Sequence, residues 1–257
     1  MWGPFPTSKV QYIQKTMQTL TTTARIHSFQ SLGTVDGPGV RAVVFMQGCP
    51  LRCACCHNPD TWAFDGGSET TAEQLVARIM RCRNYFGKNG GVTVSGGEPL
   101  LQADFVTALF KALKEKGIHT ALDTAGCILD DSVRNLLNVT DLVLLDYKYT
   151  NAEDYLRYTG MQQAAADRFL SYLQSIGKPT WLRHVYIPTL NDNDASLAKL
   201  CAVKDAHPCV EKIELLPFRR LCLEKYQSMG IPFPLANTPE PTPREIEQIK
   251  AKFPQIQ

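Results

Sequence analysis

Four cysteines stand within eight consecutive positions of the chain, at Cys49, Cys53, Cys55 and Cys56. Thiolates bind zinc and iron–sulfur clusters, and several of them close together on one loop can hold such a centre. The other five cysteines are scattered through the chain, at Cys82, Cys127, Cys201, Cys209 and Cys222. We expect these five to be small buried hydrophobic residues and the four clustered ones to form a metal centre.

The spacing of Cys49, Cys53 and Cys56 is C-x3-C-x2-C. Three thiolates on one loop can hold three corners of a 4Fe-4S cube and leave the fourth iron without a protein ligand. A structural zinc ion usually takes four ligands in two separated pairs, but here the only nearby histidine is His57 and no second C-x2-C follows. The spacing therefore favours an iron–sulfur cluster, with zinc and ordinary buried cysteines as alternatives. A cluster held by Cys49, Cys53 and Cys55, without Cys56, is also formally possible.

Composition narrows the class of protein. The chain has 257 residues, of which 44% are hydrophobic and 20% charged, enough for one large core or two small ones. It has no apolar run of about 18 residues, no secretion signal at its start, and an odd number of cysteines, which argues against a disulfide framework. Apart from Lys9 and Lys15, 25 basic residues balance 25 acidic ones, so no basic stripe for nucleic acid is present. We expect a cytoplasmic protein without membrane or nucleic-acid partners.

Apolar strands alternate with helical segments along most of the chain. The predicted strands are Val40–Gln47, Gly91–Gly97, His119–Gly126, Asp141–Lys148, Thr180–Pro188 and Val210–Phe218. The predicted helices cover residues 70–86, 103–117, 131–138, 152–158, 167–176, 195–206 and 242–253. Near-continuous apolar strands linked by helices predict a parallel sheet that is covered on both faces.

Polar residues follow the carboxyl ends of these strands. After the cysteines of the first strand come Gly96, Gly97, Glu98, Asp123, Thr124, Asp146, Lys148, Arg183 and Arg219. The alternation alone fits both an open doubly wound sheet and a curved barrel. A barrel brings all carboxyl ends around one mouth, whereas an open sheet spreads them along an edge. One site that draws on six strands therefore favours an α/β fold with a partial TIM-like (β/α)6 barrel.

Several motifs occur in a characteristic order. They are "RIHSF", "GTVDGPGVR", the cysteine motif with "CHNPDTW", "SGGEPLLQ", "LDTAG", "DLVLLDYK", "WLRHVYIP" and "VEKIELLPF". In this order and spacing the sequence resembles the radical S-adenosylmethionine enzymes and, within them, the family of pyruvate formate-lyase-activating enzymes. The resemblance covers nearly the whole chain after its first residues. It implies a radical S-adenosylmethionine domain over residues 25–257 with a partial (β/α)6 barrel, which agrees with the strand count.

The resemblance also implies an activity. A 4Fe-4S cluster on Cys49, Cys53 and Cys56 would bind S-adenosylmethionine and cleave it with one electron, and the 5′-deoxyadenosyl radical would abstract the α-hydrogen of a glycine in a glycyl radical enzyme. The expected partner is pyruvate formate-lyase, the expected electron donor is reduced flavodoxin or ferredoxin, and the expected state is a monomer. The alternatives are another glycyl radical protein, a small-molecule substrate, or a non-enzymatic protein for electron transfer or structure.

By the same resemblance, individual residues receive roles. The expected cofactor-binding residues are Cys55, His57, Gly96, Gly97, Glu98, Asp146, Tyr147, Lys148, Arg183 and Arg219. Asp123, Thr124 and Asp146 would hold a monovalent cation, and Asp36 and Asn58 would contact the substrate. Simpler roles remain open: a helix cap at Asp123 and Thr124, a surface ion pair between Asp146 and Lys148, a structural partner for Arg183, and a plain turn at Asp36.

Two departures from the family pattern stand out. Cys55 occupies a position that is commonly aromatic, and Arg219 stands where the family has a histidine thought to touch the cofactor. Between Cys56 and Gly91 only Cys82 occurs, so the chain has no insert with additional clusters. The Thr- and Gln-rich residues 1–24 carry no family motif, and we expect a disordered extension there, with Met17 as an alternative start of translation.

Overall fold

The structure is a computed structural model that describes residues 22–257. The predicted disorder of the N-terminal extension and the alternative start at Met17 lie outside the described residues, except at the end of the extension. There the first strand begins at Thr23, two residues before the predicted start of the domain at residue 25. Thr23 pairs with Thr71 and Ala24 pairs with Thr70 across two antiparallel strands.

Eight strands form one sheet in the order β3-β1-β2-β4-β5-β6-β7-β8. Their bounds are β1 Thr23–Gly33, β2 Arg41–Met46, β3 Ser68–Thr71, β4 Gly91–Gly96, β5 His119–Thr124, β6 Leu142–Asp146, β7 Thr180–Tyr186 and β8 Val210–Pro217. The neighbours from β2 through β4 to β8 are parallel, while β1 runs antiparallel to both β2 and β3. All six predicted strands are therefore present in a parallel sheet.

Eight α-helices lie within the described residues. They are α1 Ala72–Met80, α2 Ala103–Lys114, α3 Asp131–Val139, α4 Ala152–Thr159, α5 Gln163–Ser175, α6 Asp194–Ala206, α7 Leu223–Ser228 and α8 Pro243–Lys252. Short 3-10 helices cover Pro59–Thr61, Arg83–Tyr85 and Pro99–Gln102. The helix predicted over residues 70–86 is thus divided: Thr71 begins it through a capping box with Gln74, and it ends at Met80.

The prediction missed β1, β3 and α7. The residues of β1 after Ile26 alternate between partly buried and exposed, and β3 is the polar segment "SETT". β3 is an edge strand of the sheet, and it pairs only with Thr23–Ile26 of β1, so the rest of β1 has a neighbour on one side only. Neither strand therefore has the continuous apolar run of a central strand. Helix α7 has only six residues, too few for a clear helical period.

The sheet has a main core against the helices and a smaller one on its inner face. The inner cluster consists of Ala121, Leu142 and Leu144, with Trp181 packed against it. Nearer the carboxyl ends of the same strands, the inward positions become polar, at Asp123, Asp146 and Arg183. The apolar cluster therefore forms a floor beneath a polar layer, as in a barrel whose interior is filled below its active face.

The loop between β1 and β2 is held inside the barrel by the fully buried Arg41. Its guanidinium group donates to Thr93 Oγ1 at 2.6 Å, to the Val92 carbonyl at 2.6 Å and to the Pro38 carbonyl at 3.1 Å. Thr93 in turn donates to the carbonyl of Asp36 at 2.6 Å. Burial lowers the pKa of Arg41 to about 10, so the side chain remains charged near neutral pH.

Arg41→Met is expected to lower the free energy of unfolding by about 2–4 kcal/mol, because it leaves several buried acceptors without a donor. Urea unfolding followed by circular dichroism measures the change. The control is Arg168→Met, at an exposed position on α5, where the change should stay within about 0.5 kcal/mol. Equal stability of the Arg41 variant and the control would contradict this role of Arg41.

Candidate active site at the carboxyl ends of the strands

One cavity of about 550 Å³ lies at the carboxyl end of the sheet. It is lined from six strands, by Phe45 on β2, Ser95 on β4, Asp123 on β5, Asp146 on β6, Arg183 on β7 and Leu216 on β8. A single cavity reached by every parallel strand requires the sheet to curl, which is the barrel arrangement that the sequence favoured. Every predicted site residue except Tyr147 lines this cavity.

The cysteine loop begins where β2 ends. Gly48 has a φ of +93°, a left-handed conformation that favours glycine, and its amide donates to the Thr61 carbonyl at 2.8 Å. On its other side the loop rests on the end of α4, since the amides of Arg52 and Ala54 donate to the carbonyls of Thr159 and Tyr158 at 3.0 and 2.8 Å. The loop is therefore fixed at both ends before any ligand binds.

The thiol of Cys49 is buried and those of Cys53, Cys55 and Cys56 are partly buried. Burial raises the pKa of Cys49 to about 12, of Cys53 to about 11 and of Cys55 to about 12, and it also raises the pKa of Cys56. Because thiols bind metals as thiolates, loading of this site would release protons. Lys148 opposes the effect of burial at Cys53, Cys55 and Cys56.

N–H groups stand beside two of the sulfurs. The Leu51 amide near Cys49, and the Asn58 amide and Trp62 indole near Cys56, oppose the effect of burial on the pKa of these thiols. Hydrogen bonds to the sulfurs are a feature of iron–sulfur sites, where they stabilise thiolates and adjust the potential. Within residues 22–257, no three His, Cys, Asp or Glu side chains converge on one point as a single metal ion would require. A three-thiol loop beside a cavity fits a cluster, which is wider than one ion.

Gly96 and Gly97 bring the end of β4 against the cysteine loop. A Cβ on Gly97 would lie 2.2 Å from the Gly48 carbonyl oxygen, and one on Gly96 would lie 2.3 Å from the Met46 amide nitrogen. Gly96 also has a φ of +108°. Both glycines are thus required by backbone packing between β2 and β4, whatever their distance from a ligand.

Glu98 is buried, with 1% of its surface exposed, and joins the ends of β4 and β5. Its carboxylate accepts from the Leu100 amide at 3.1 Å, from Thr124 Oγ1 at 2.6 Å and from the Ala125 amide at 2.9 Å. Burial raises its pKa to about 7, although these donors favour the charged form. Glu98 therefore holds the rim of the cavity together, besides offering negative charge to it.

Arg183 crosses the cavity floor as a buried cation. It pairs with Asp123 Oδ2 at 3.1 Å and donates to the Val35 carbonyl at 3.1 Å, and its Nε lies 3.1 Å from Glu214 Oε2 without hydrogen-bond alignment. Ser95 donates to the same Asp123 oxygen at 2.7 Å. Burial raises the pKa of Asp123 to about 6 against the opposing effect of Arg183. The structural carboxylate partner considered for Arg183 is thus present.

Lys148 and Asp146 form a second pair, with Nζ and Oδ2 separated by 2.7 Å. Burial alone would lower the pKa of Lys148, but Asp146 and the Cys53 and Cys55 thiols raise it well above its usual value. The three residues expected to hold a monovalent cation contact other side chains: Asp123 pairs with Arg183, Asp146 pairs with Lys148, and Thr124 donates to Glu98. The cation site stays a prediction.

The segment after β8 forms the part of the rim that contacts the cysteine loop. His57 Nε2 donates to the Arg219 carbonyl at 2.8 Å, and the Arg219 guanidinium group pairs with Glu240 at 3.1 Å. Lys225 on α7 donates to Asn58 Oδ1 at 2.8 Å. Hydrogen bonds thus join the cysteine loop to the segment after β8, although the two are far apart in the sequence.

Tyr147 differs from the other predicted site residues. Its side chain is 1% exposed and points away from the cavity, where its hydroxyl group donates to Asp167 at 2.7 Å and accepts from Gln163 at 2.8 Å. The strand alternation explains this, because Asp146 and Lys148 face the cavity and the residue between them faces the helices.

Three polar side chains of the cavity were not predicted from the sequence: Thr61, Trp62 and Ser95. Ser95 could have been found from the period of two along β4, because it shares a face with Thr93 and directly precedes the two glycines. Trp62 lies in the quoted motif "CHNPDTW", yet five residues separate it from Cys56, so only the folded loop brings its indole to that sulfur.

Comparison with known proteins shows the family to which the chain belongs. Residues 35–164 match the family described as "4Fe-4S single cluster domain". The chain is 47% identical over 212 residues to the pyruvate formate-lyase-activating enzyme of Clostridium pasteurianum, covering 82% of this chain and 89% of that protein. It is 43% identical to the pyruvate formate-lyase 1-activating enzyme of Escherichia coli K12, covering 88% and 93%. The chain belongs to the pyruvate formate-lyase-activating enzyme family.

A solved structure confirms the fold over nearly the whole chain. The radical SAM methyltransferase from Sphaerobacter thermophilus superimposes with a TM-score of 0.59 at 16% identity, covering 97% of this chain and 79% of that one. The predicted radical S-adenosylmethionine fold is therefore confirmed. Within residues 22–257, no helix is long and apolar enough to cross a membrane.

Glu98→Gln is expected to change how stability depends on pH. With a pKa raised from 4.5 to about 7, wild-type Glu98 holds its proton more tightly when folded, so its contribution is fully present below pH 4.5 and is lost as pH rises through about 7. The loss amounts to about 3 kcal/mol and should be absent in the glutamine variant. Urea unfolding of both metal-free proteins across this range measures it, and parallel pH profiles would contradict the burial effect.

Proposed function

We propose that this protein activates a glycyl radical enzyme, with pyruvate formate-lyase as the partner. The observation that carries the proposal is the single cavity in which three clustered thiols, the Gly96–Gly97 turn and the charged groups of four further strand ends meet. The relatives named as pyruvate formate-lyase-activating enzymes align over more than four-fifths of the chain, so the likeness includes the cavity walls and not only the cysteine loop.

The residues fit a cluster and S-adenosylmethionine. Cys49, Cys53 and Cys56 would hold a 4Fe-4S cluster, and the N–H donors at Cys49 and Cys56 favour these two as thiolates. When bound, the cluster and S-adenosylmethionine supply the one-electron cleavage that creates a radical able to remove a glycine α-hydrogen. Cys55, whose thiol is equally buried, would remain a cavity neighbour and not a ligand.

The charged groups of the cavity would orient the cofactor. Lys148 would attract its carboxylate, while Glu98 and Asp146 would balance its ammonium and sulfonium charges. Because Arg183 is held by Asp123 and Val35, it would contribute a fixed positive field instead of a mobile side chain. Such a site needs little rearrangement when the cofactor enters, and its apolar lining would keep water away from a reactive radical.

The mouth of the cavity suits a polypeptide substrate. Val35 and Leu221 are 69% and 84% exposed, and both lie on the cavity wall, at the β1–β2 loop and after β8. Exposed apolar side chains at the entrance of a site are typical of a surface that a partner covers. Asp36 and Asn58, beside these loops, would contact the partner's glycine segment, and a flavodoxin or ferredoxin would supply the electron to a monomeric activating enzyme.

Replacement of single cysteines should separate ligands from neighbours. Cys53→Ser and Cys56→Ser should lose most of the iron and sulfide that the wild type takes up under anaerobic reconstitution, because two thiolates cannot hold the cube. Cys55→Ser should retain wild-type iron and sulfide. Colorimetric iron and sulfide assays measure the outcome, and a Cys55 variant without iron would overturn the assignment of Cys56.

The activity is tested by mixing the reconstituted, reduced protein with S-adenosylmethionine and pyruvate formate-lyase of the same organism. Electron paramagnetic resonance should show a glycyl radical on the partner, and chromatography should show 5′-deoxyadenosine. Cleavage without a glycyl radical on this or any other glycyl radical enzyme would favour a small-molecule substrate. No cleavage would contradict an activating enzyme.

A further inference from the structure

An electron donor cannot use the entrance of the cavity, because the cofactor and the partner's glycine segment fill that route. This argument rests on the proposed function. The remaining approach to the cluster leads through the outer side of the cysteine loop, which is the side that rests on the end of α4. Charged groups on this outer side are therefore the ones that a donor protein would meet.

Arg52 lies on the outer side of the loop and is held there. It is exposed, does not line the cavity, and its guanidinium group donates to the carbonyls of Cys49 and Leu51 at 2.9 and 2.8 Å. The same group lies 4.8 Å from the centre of the Trp62 ring. A cation is thus presented to solvent in a fixed position directly above an indole.

Trp62 connects this cation to the thiols. Its indole lies beside the Cys56 thiol and lowers the pKa of that thiol. Its carbonyl accepts from the Cys49 amide at 3.4 Å, and its ring packs edge-on against Tyr226 at 6.0 Å. Tyr226 in turn donates to the Cys56 carbonyl at 3.2 Å. The path from the surface to a cluster ligand therefore consists of one guanidinium group and one aromatic ring in contact.

A second arginine lies on the end of α4 that the cysteine loop contacts. The hydrogen bonds from Arg52 and Ala54 to the end of α4 place Arg157 and Tyr158 beside the loop. Arg157 is exposed and lies 5.3 Å from the Tyr158 ring, which stacks on Tyr149 at 5.3 Å. Among the ion pairs of the described residues, neither arginine has an acidic partner. Both positive charges are available to a partner.

We propose that Arg52, Arg157 and Tyr158 form the docking surface for an acidic one-electron carrier protein, with Trp62 between that surface and the cluster. One electron leaves the reduced carrier and enters the cluster, and no bond or proton is exchanged. Complementary charge would increase the rate of encounter, and this increase would fall with ionic strength. The surface lies apart from the cavity mouth, so the carrier and the glycyl radical enzyme could bind at different sides of the protein.

The test measures reduction of the cluster without S-adenosylmethionine, by stopped-flow absorbance at several salt concentrations. Reduced flavodoxin is the protein donor, and photoreduced 5-deazariboflavin is the small neutral donor. The double variant Arg52→Gln, Arg157→Gln should lower the second-order rate with flavodoxin about tenfold at low salt and flatten its salt dependence. The rate with deazariboflavin should stay at the wild-type value.

Two further variants keep the test decisive. Arg157→Glu alone does not touch the cysteine loop and should slow flavodoxin further than Arg157→Gln, because it reverses the charge. Arg134→Gln is the matched control, since Arg134 also lies over a tyrosine, 4.5 Å from the Tyr172 ring, but on α3. Unchanged flavodoxin rates, an equal loss with deazariboflavin, or an equal loss in the control would overturn the docking surface. Cluster reduction does not require cofactor cleavage, so failure of the proposed function would be seen separately.

Discussion

The contact between the backbones of Gly48 and Gly97 sets the position of everything else in the cavity. The Glu98 amide donates to the Gly48 carbonyl at 2.9 Å, and the Gly97 amide donates to the Met46 carbonyl at 2.9 Å. Any side chain at Gly97 would enter the space of the Gly48 oxygen. This approach places the thiol loop against the end of β4, and from there Glu98 reaches across to the end of β5. The thiols and the charged strand ends thus face one cavity at fixed distances.

The charges of the cavity are stabilised mainly by one another. Arg183 is shared by carboxylates of two strands, Lys148 pairs with Asp146, and Glu98 is held by two amides and a hydroxyl group. Removing one member of such a set leaves its partner buried and unpaired, which costs more than the pair itself contributes. The charged groups of the cavity therefore orient one another, and a bound cofactor would meet charges that are already in position.

The parts of the molecule that could be predicted from sequence are those in which local pattern and tertiary role agree. The six parallel strands are apolar because both faces are covered, and the polar residues at their carboxyl ends are found together because parallel strands end at one side. The antiparallel strands β1 and β3 have no such pattern. Tyr147 was assigned to the cavity by its place in a motif, but alternation along the strand turns it to the helices. The Trp62–Cys56 and Arg52–Trp62 contacts depend on how one loop folds back on itself, so no helical or strand pattern in the sequence predicts them.

The order of the strands has a consequence for synthesis of the chain. From β5 to β8 each strand pairs with the one that precedes it in the sequence, so the sheet can grow one strand at a time as the chain leaves the ribosome. The thiols at residues 49–56 emerge early, whereas the walls that shield them arrive with Lys148, Arg183 and finally Arg219. For most of translation the metal-binding loop is therefore without its enclosure. A complete, protected cavity exists only when the last parallel strand has been added.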